Sequence, residues 1–179
     1  MRIIGGEYRS RILADIRGDN VRPTSDRARE ALFNILGTRV QGARVLDLFA
    51  GSGALGLESL SRGAREATFN DLSKDSVAIV KKNIAALKAE EKASVYQTDF
   101  LTFLTASRAP FDLIFIDPPY RFDYGEKALK TIAEKGLLTE NGIAVYERDR
   151  PFVGEIEGLC KYDERKYGKA YLTFFRRQI

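Results

Sequence analysis

The chain has 179 residues, 44% of them apolar, with a formal net charge of +4, no histidine and one cysteine, Cys160. That length suits one domain, or one domain with a small appendage, and the apolar fraction supports a packed core. Without histidine, a Ser-His-Asp triad and imidazole acid–base chemistry are excluded, and a lone cysteine leaves neither an internal disulfide nor a Cys/His zinc site.

Residues 1–22 read as short extended pieces with turns at Gly5-Gly6 and Gly18-Asp19-Asn20, a small β-hairpin appendage ahead of a main domain over 23–179. Pro23 precedes Thr24-Ser25-Asp26, which offers a helix N-cap, and Ala28, Ala31, Leu32 and Ile35 recur at helical spacing up to Gly37. An alternation follows. Residues 43–48 form a strand, then glycines, then a short helix with Leu55, Leu57 and Leu60. Residues 66–70 form the second strand, and Val77, Val80, Ile84 and Leu87 mark the next helix face. Residues 93–97 form the third strand, and Asp99 opens a short helix. Residues 111–116 read as a buried fourth strand, 124–136 as a helix and 142–147 as a fifth strand. Two closely spaced strands, 159–166 and 170–176, suggest a closing antiparallel pair. Strands separated by helices imply right-handed crossovers and a mainly parallel α/β sheet. Ligands bind beyond the carboxyl ends of such strands.

The first such end carries Asp47 and a G-x-G-x-x-G run at Gly51, Gly53 and Gly56, with Asp71 twenty residues beyond Gly51. Taken literally this is a dinucleotide fingerprint. Asp47 argues against it, because a carboxylate there repels the pyrophosphate that the loop and helix N-terminus would hold. The same carboxylate attracts an ammonium and a sulfonium, which points to S-adenosylmethionine. Asp71 can accept from ribose hydroxyls and Asp99 from an adenine amine, with Phe100 against the adenine face. Singly, each acid is an ordinary strand-end cap. Together they place an acid after three successive strands.

Asp117-Pro118-Pro119-Tyr120 follows the fourth strand. The prolines fix φ and hold the backbone extended, and the Pro118 carbonyl remains an acceptor. The Asp117 carboxylate and that carbonyl make a rigid acceptor pair for a planar amine with two N–H groups. Tyr120 offers a flat face on which a base stacks, worth about 1–3 kcal/mol. The alternative is a Pro-rich turn between a strand and a helix.

Arginines concentrate near the N-terminus and basic residues again in the tail, which suits a polyanionic partner as well as a solvated basic surface. Arg2, Arg9, Arg11, Arg22, Thr24 and Arg27 are the candidate RNA contacts. No apolar run suggests a membrane span, no signal peptide is read, and a cytoplasmic monomer without metal is expected.

The acidic strand ends and the tetrapeptide resemble class I methyltransferases that act on exocyclic amines. Met1-Arg2-Ile3-Ile4-Gly5-Gly6, Arg22-Pro23-Thr24-Ser25-Asp26-Arg27, Arg29 to Leu36, and the tail segment Tyr167-Gly168 followed by Tyr171 to Phe174 narrow the likeness. They resemble the bacterial 16S ribosomal RNA guanine-N2 methyltransferase family, RsmD. The resemblance implies a Rossmann-like, seven-stranded, mostly parallel sheet with helices on both faces. It implies S-adenosylmethionine as donor, and guanine N2 in ribosomal RNA or a small-subunit particle as acceptor. By motif match, Asp47, Phe49, Gly51, Gly53, Asp71, Asp99 and Phe100 bind the cofactor, and Asp117, Pro118, Pro119 and Tyr120 hold the guanine. Arg22-Pro23-Thr24 borders the site. Asp71 stands where relatives lead one to expect glutamate. Competing readings are an adenine-N6 or protein-glutamine methyltransferase, a nicotinamide oxidoreductase, and a non-catalytic RNA-binding module.

Overall fold

A computed structural model describes residues 1–16, 25–120 and 122–179. Among them, seven strands form one sheet: β1 (Arg44–Asp47), β2 (Glu66–Asn70), β3 (Ala93–Tyr96), β4 (Phe111–Ile116), β5 (Leu138–Arg148), β6 (Leu159–Tyr167) and β7 (Ala170–Arg177). Their order is β3-β2-β1-β4-β5-β7-β6. The pairs from β3 across to β5 are parallel, and β7 runs antiparallel to both of its neighbours. The helices are α1 (Asp26–Leu36), α2 (Ala54–Ser61), α3 (Lys74–Ala86), α4 (Phe100–Ala106) and α5 (Tyr124–Glu134).

Alternation along the strands divides the core between the two sheet faces. Val45, Phe115 and Val145 face Leu32, Leu57 and Val80 of α1, α2 and α3. Leu46, Ile114 and Ala144 face Leu104 and Leu129 of α4 and α5. The helices start where side-chain caps occur: Ser25 Oγ accepts from Ala28 N (3.1 Å), and Ser73 Oγ from Ser76 N (3.3 Å). From β1 the chain crosses to β2 on one side, and β4 lies on the other. The strand order therefore reverses beside the carboxyl end of β1, where a crevice opens.

β5 begins at Leu138, earlier than the expected Gly142. Phe111 pairs with Leu138, but Leu113 pairs with Ile143, so β5 carries extra residues against β4. Asp112 fastens this irregularity. Its carboxylate accepts from Thr139 Oγ1 (3.0 Å) and from Arg44 N in β1 (2.8 Å).

Residues 1–16 form one antiparallel bridge, Arg2 with Ile12, and bury Ile3 and Leu13 in the core on the α2 side. Ile4 N and Gly5 N donate to the buried Glu58 carboxylate on α2 (3.0 and 2.9 Å). Gly6, at φ +79°, lies so close that a Cβ would overlap Ser61 O. Of the expected elements, the Gly18-Asp19-Asn20 turn and Arg22-Pro23-Thr24 lie outside the described residues.

Candidate active site

A cavity of about 440 Å³ opens at the carboxyl ends of β1, β2, β3 and β4, within the size range of small-molecule sites. Asp47, Phe49, Gly51, Asp71, Asp99 and Phe100 line it, and so does the whole run Asp117 to Tyr120. The structure thus brings the acidic strand ends and the tetrapeptide into one space. Gly53 stands behind this wall as the residue before α2.

The glycine loop is shaped by backbone demands. Gly51 and Gly53 hold φ of +57° and +85°, the left-handed region that L side chains rarely adopt. Gly56 does something else: a Cβ there would overlap the Phe69 ring, so this glycine lets α2 pack on β2. The apparent dinucleotide spacing therefore combines two turn glycines with one packing glycine.

The carboxylates differ in their engagement. Asp47 is 2% exposed, and its Oδ2 accepts from Gly56 N (3.0 Å). Burial pushes its carboxyl up to about 7, with the Asp71 charge adding and the Gly56 N–H opposing. Asp71 accepts from Gly51 N and Ser73 N (both 2.9 Å), bracing the loop against the start of α3. Asp99 caps α4, its Oδ2 accepting from Leu101 N (3.0 Å) and Thr102 N (3.2 Å). A carboxylate offers roughly four acceptor positions, so both retain capacity toward the cavity. Phe100 packs between Phe49 and Tyr124, each at 5.1 Å between ring centroids.

In the tetrapeptide, Asp117 is half-buried and Pro118 buried. Pro119 O accepts from Phe122 N (3.4 Å), closing a turn that carries Tyr120. Burial, then the charges of Glu147 and Asp47, raise the Asp117 carboxyl well above the usual carboxylate range. Tyr120 Oη donates to Glu147 Oε1 (3.3 Å). Burial and that neighbouring carboxylate push the phenol far up, so it stays a donor.

Sequence reasoning missed Glu147. Its signal was a carboxylate closing an apolar strand, the pattern already seen at Asp47. It also missed Asn70, whose buried Nδ2 donates to Leu48 O (3.4 Å) and Thr98 O (3.1 Å), tying the loops after β1 and β3 together. Asp15 and Ile16, which line the cavity, carried no sequence signal.

The candidate RNA contacts are scattered. Arg2, exposed, donates to Asp26 at the start of α1 (3.3 Å), beside the exposed Arg27. Arg11 donates to Ala86 O (2.7 Å) at the end of α3 away from the cavity, and Arg9 is exposed. Arg22 and Thr24 lie outside the described residues. Among the described residues no cluster of acidic or Cys side chains could hold a metal, and no helix is long and apolar enough to cross a membrane.

Comparison with known proteins shows the family and the fold. The family described as Conserved hypothetical protein 95 matches residues 1–176. Ribosomal RNA small subunit methyltransferase D of Haemophilus influenzae is 39% identical over 158 residues, covering 86% of this chain and 82% of that protein. The solved Escherichia coli protein yhhF shares 34% identity and superposes with a TM-score of 0.90, covering 99% of this chain and 98% of that one. At the level of fold alone, the protein SMU.776, crystallised with SAH, superposes with a TM-score of 0.66 at 18% identity, covering 84% of this chain and 49% of that one. The fold is the Rossmann-like class I methyltransferase fold.

Proposed function

The chain belongs to the Conserved hypothetical protein 95 family, the family of ribosomal RNA small subunit methyltransferase D, and from that premise we propose its reaction. It transfers a methyl group from S-adenosylmethionine to the exocyclic N2 amine of a guanine in small-subunit ribosomal RNA, free or within the particle. The observation that carries this reading is the single cavity lined by acids from three strand ends and by Asp117-Pro118-Pro119-Tyr120.

The donor set fits the methyl donor. The buried Asp47 carboxylate favours a cation in front of it. Asp71 and Asp99 keep acceptor capacity for hydroxyl and amine protons, and Phe49 and Phe100 supply an apolar wall. Gly51, in the cavity wall, keeps the loop clear of a side chain there. When bound, the donor supplies an electrophilic methyl on sulfur and leaves as a neutral thioether.

The rest falls to this chain's own residues. The Asp117 carboxylate and the Pro118 carbonyl accept the two N–H groups of the amine. This orients the nitrogen and draws its lone pair out of conjugation with the ring. Tyr120 stacks on the base, its hydroxyl tethered to Glu147 (3.3 Å). Asp117 takes the proton that the amine sheds, a role suited by its raised proton affinity. Fixing both partners in line supplies much of the acceleration. A paired guanine must first be extruded or lie in a loop. Arg2 and Arg27, exposed near the start of α1, would face the RNA.

The test is to incubate the protein with tritiated S-adenosylmethionine and, in parallel, small-subunit particles, free ribosomal RNA and duplex DNA, then digest to nucleosides. Label in N2-methylguanosine is expected. Label on adenine N6, or on no RNA at all, overturns the proposal.

A further inference from the structure

At the carboxyl end of the sheet, β4, β5, β7 and β6 stand side by side in that order. Asp117 follows Ile116, which pairs with Tyr146. Arg148 pairs with Tyr171 of β7, and Tyr171 pairs with Lys166 of β6. The β6–β7 turn, Gly168-Lys169, is therefore at the same sheet end as the tetrapeptide, three strand spacings or roughly 14 Å across. Gly168 has φ +59° at the first central position, as a tight hairpin of the II′ kind requires.

This tip is chemically distinctive. Lys166 and Lys169 are exposed, and Lys166 Nζ lies 5.4 Å from the centroid of the Tyr171 ring. Nearby cations are already neutralised: Arg148 by Glu126 (2.7 Å) and Arg165 by Asp163 (3.1 Å). Among the described residues, neither Lys166 nor Lys169 pairs with a carboxylate. Two free ammonium groups and the aromatic rings of Tyr167 and Tyr171 thus gather within six residues at a tight hairpin turn.

We propose that the β6–β7 hairpin tip is a docking surface for the acceptor RNA, with Lys166 and Lys169 on phosphates that flank the target base and Tyr171 supporting Lys166. This rests on the RNA reading above. Its occupant is a polyanion because the cations lack protein counter-charges, and releasing counterions from phosphates is the gain they can make. Its place fits because an RNA chain that presents a base to Tyr120 must run on past a neighbouring part of the same rim. Such contacts fix the register of the chain without reading its sequence.

The test is binding of free 16S ribosomal RNA and of small-subunit particles, with S-adenosylhomocysteine present, between 50 and 300 mM salt (roughly the range over which phosphate contacts register). The K166A/K169A variant is compared with wild type and with K92A/K135A, which removes two exposed lysines from the opposite end of the sheet. Expected for K166A/K169A is a Kd raised on the order of tenfold and a log–log salt slope shallower by roughly 1.4 to 1.8. Calorimetric affinity for S-adenosylhomocysteine and Tm should match wild type, and K92A/K135A should bind RNA as wild type does. Unchanged Kd and slope in K166A/K169A, or an equal loss in K92A/K135A, overturn the docking assignment. RNA bound through these lysines but never methylated overturns the reaction and leaves the docking surface standing. Wild type that binds neither RNA overturns both.

Discussion

Asp47 shows how one buried carboxylate links folding to ligand binding. Its carboxyl is held near 7 against an ordinary 3.8, so the folded chain binds a proton there that the unfolded chain has lost. The sign follows: this group's contribution to stability is fully present below about 4 and is lost as pH rises through about 7. A cation in the cavity reverses the preference and draws the carboxylate form. Affinity for S-adenosylhomocysteine, whose ammonium persists at these pH values, should therefore strengthen between pH 5.5 and 7.5, by up to roughly tenfold per pH unit below the folded pKa. Calorimetry across that range measures it, and Asp47→Asn should both weaken binding and flatten the dependence. A flat wild-type profile would mean that Asp47 does not meet the cation. Asp117 has the complementary role. Asp117→Ala should lower kcat by roughly 10²–10⁴-fold while S-adenosylhomocysteine binding survives. Equal loss of both would show that Asp117 belongs to the cofactor site. These acids were legible in sequence because each follows an apolar strand at the rhythm of a parallel sheet. Their engagements were only partly so. The order of residues does offer Asp99 as a helix cap, but nothing in it says that Glu147 approaches Tyr120 across 27 residues of chain.

At the scale of elements, three glycines that look alike in sequence separate by physical role. Gly51 has only Ile16 Cδ1 near a would-be Cβ, at 3.8 Å, so Gly51→Ala meets open space and its cost is conformational, roughly 1–2 kcal/mol for the left-handed φ. Gly56 sits in regular helix, yet a Cβ would overlap the Phe69 ring. Gly56→Ala must push α2 off β2 and should cost about 1–3 kcal/mol. It should also disturb Asp47, which accepts from Gly56 N. Urea unfolding of both variants, read beside ligand affinity, tests the ordering. If Gly56→Ala is the milder of the two, the packing role assigned to it is wrong. Strand and helix identities followed from apolar patterning together with cap and turn signals such as Ser25 and Gly37. The early start of β5 did not, because it depends on Asp112 and Thr139 meeting across two strands. Pairing partners of that kind are set by the tertiary fold, and single-sequence patterns do not contain them.

At the scale of the whole molecule, residues 1–16 run from a distant buried charge to the cavity. Glu58 has no exposed surface, accepts from Ile4 N, Gly5 N and Arg62 Nε, and lies 4.0 Å from Nε of the equally buried Arg29. Farther along the segment, Ala14 N donates to Asn83 Oδ1 (2.8 Å), and Asn83 Nδ2 in turn donates to Ala14 O and Ser52 O (both 2.9 Å). The next two residues, Asp15 and Ile16, line the cavity beside Ser52. The basic N-terminal residues suggested an RNA-facing appendage, and the turn signals at Gly5-Gly6 were readable. The buried carboxylate that receives that turn was not, because Glu58 sits in a helix where an exposed face is the ordinary place for glutamate. Glu58→Ala takes the buried counter-charge from Arg29, which keeps only the half-exposed Asp26 (3.1 Å), and strips two backbone N–H groups of their acceptor, which should cost about 3–5 kcal/mol. Glu58→Gln keeps one acceptor oxygen, enough for Ile4 N or Gly5 N but not both, and should be milder than Glu58→Ala. If the segment acts as one strap, amide exchange at Ile4 and Gly5 should accelerate in Glu58→Ala, and S-adenosylhomocysteine affinity should fall although Glu58 does not line the cavity. Fast exchange with unchanged affinity would show that the Asn83 clamp holds Asp15 and Ile16 by itself, so that stability and ligand binding part company within these sixteen residues.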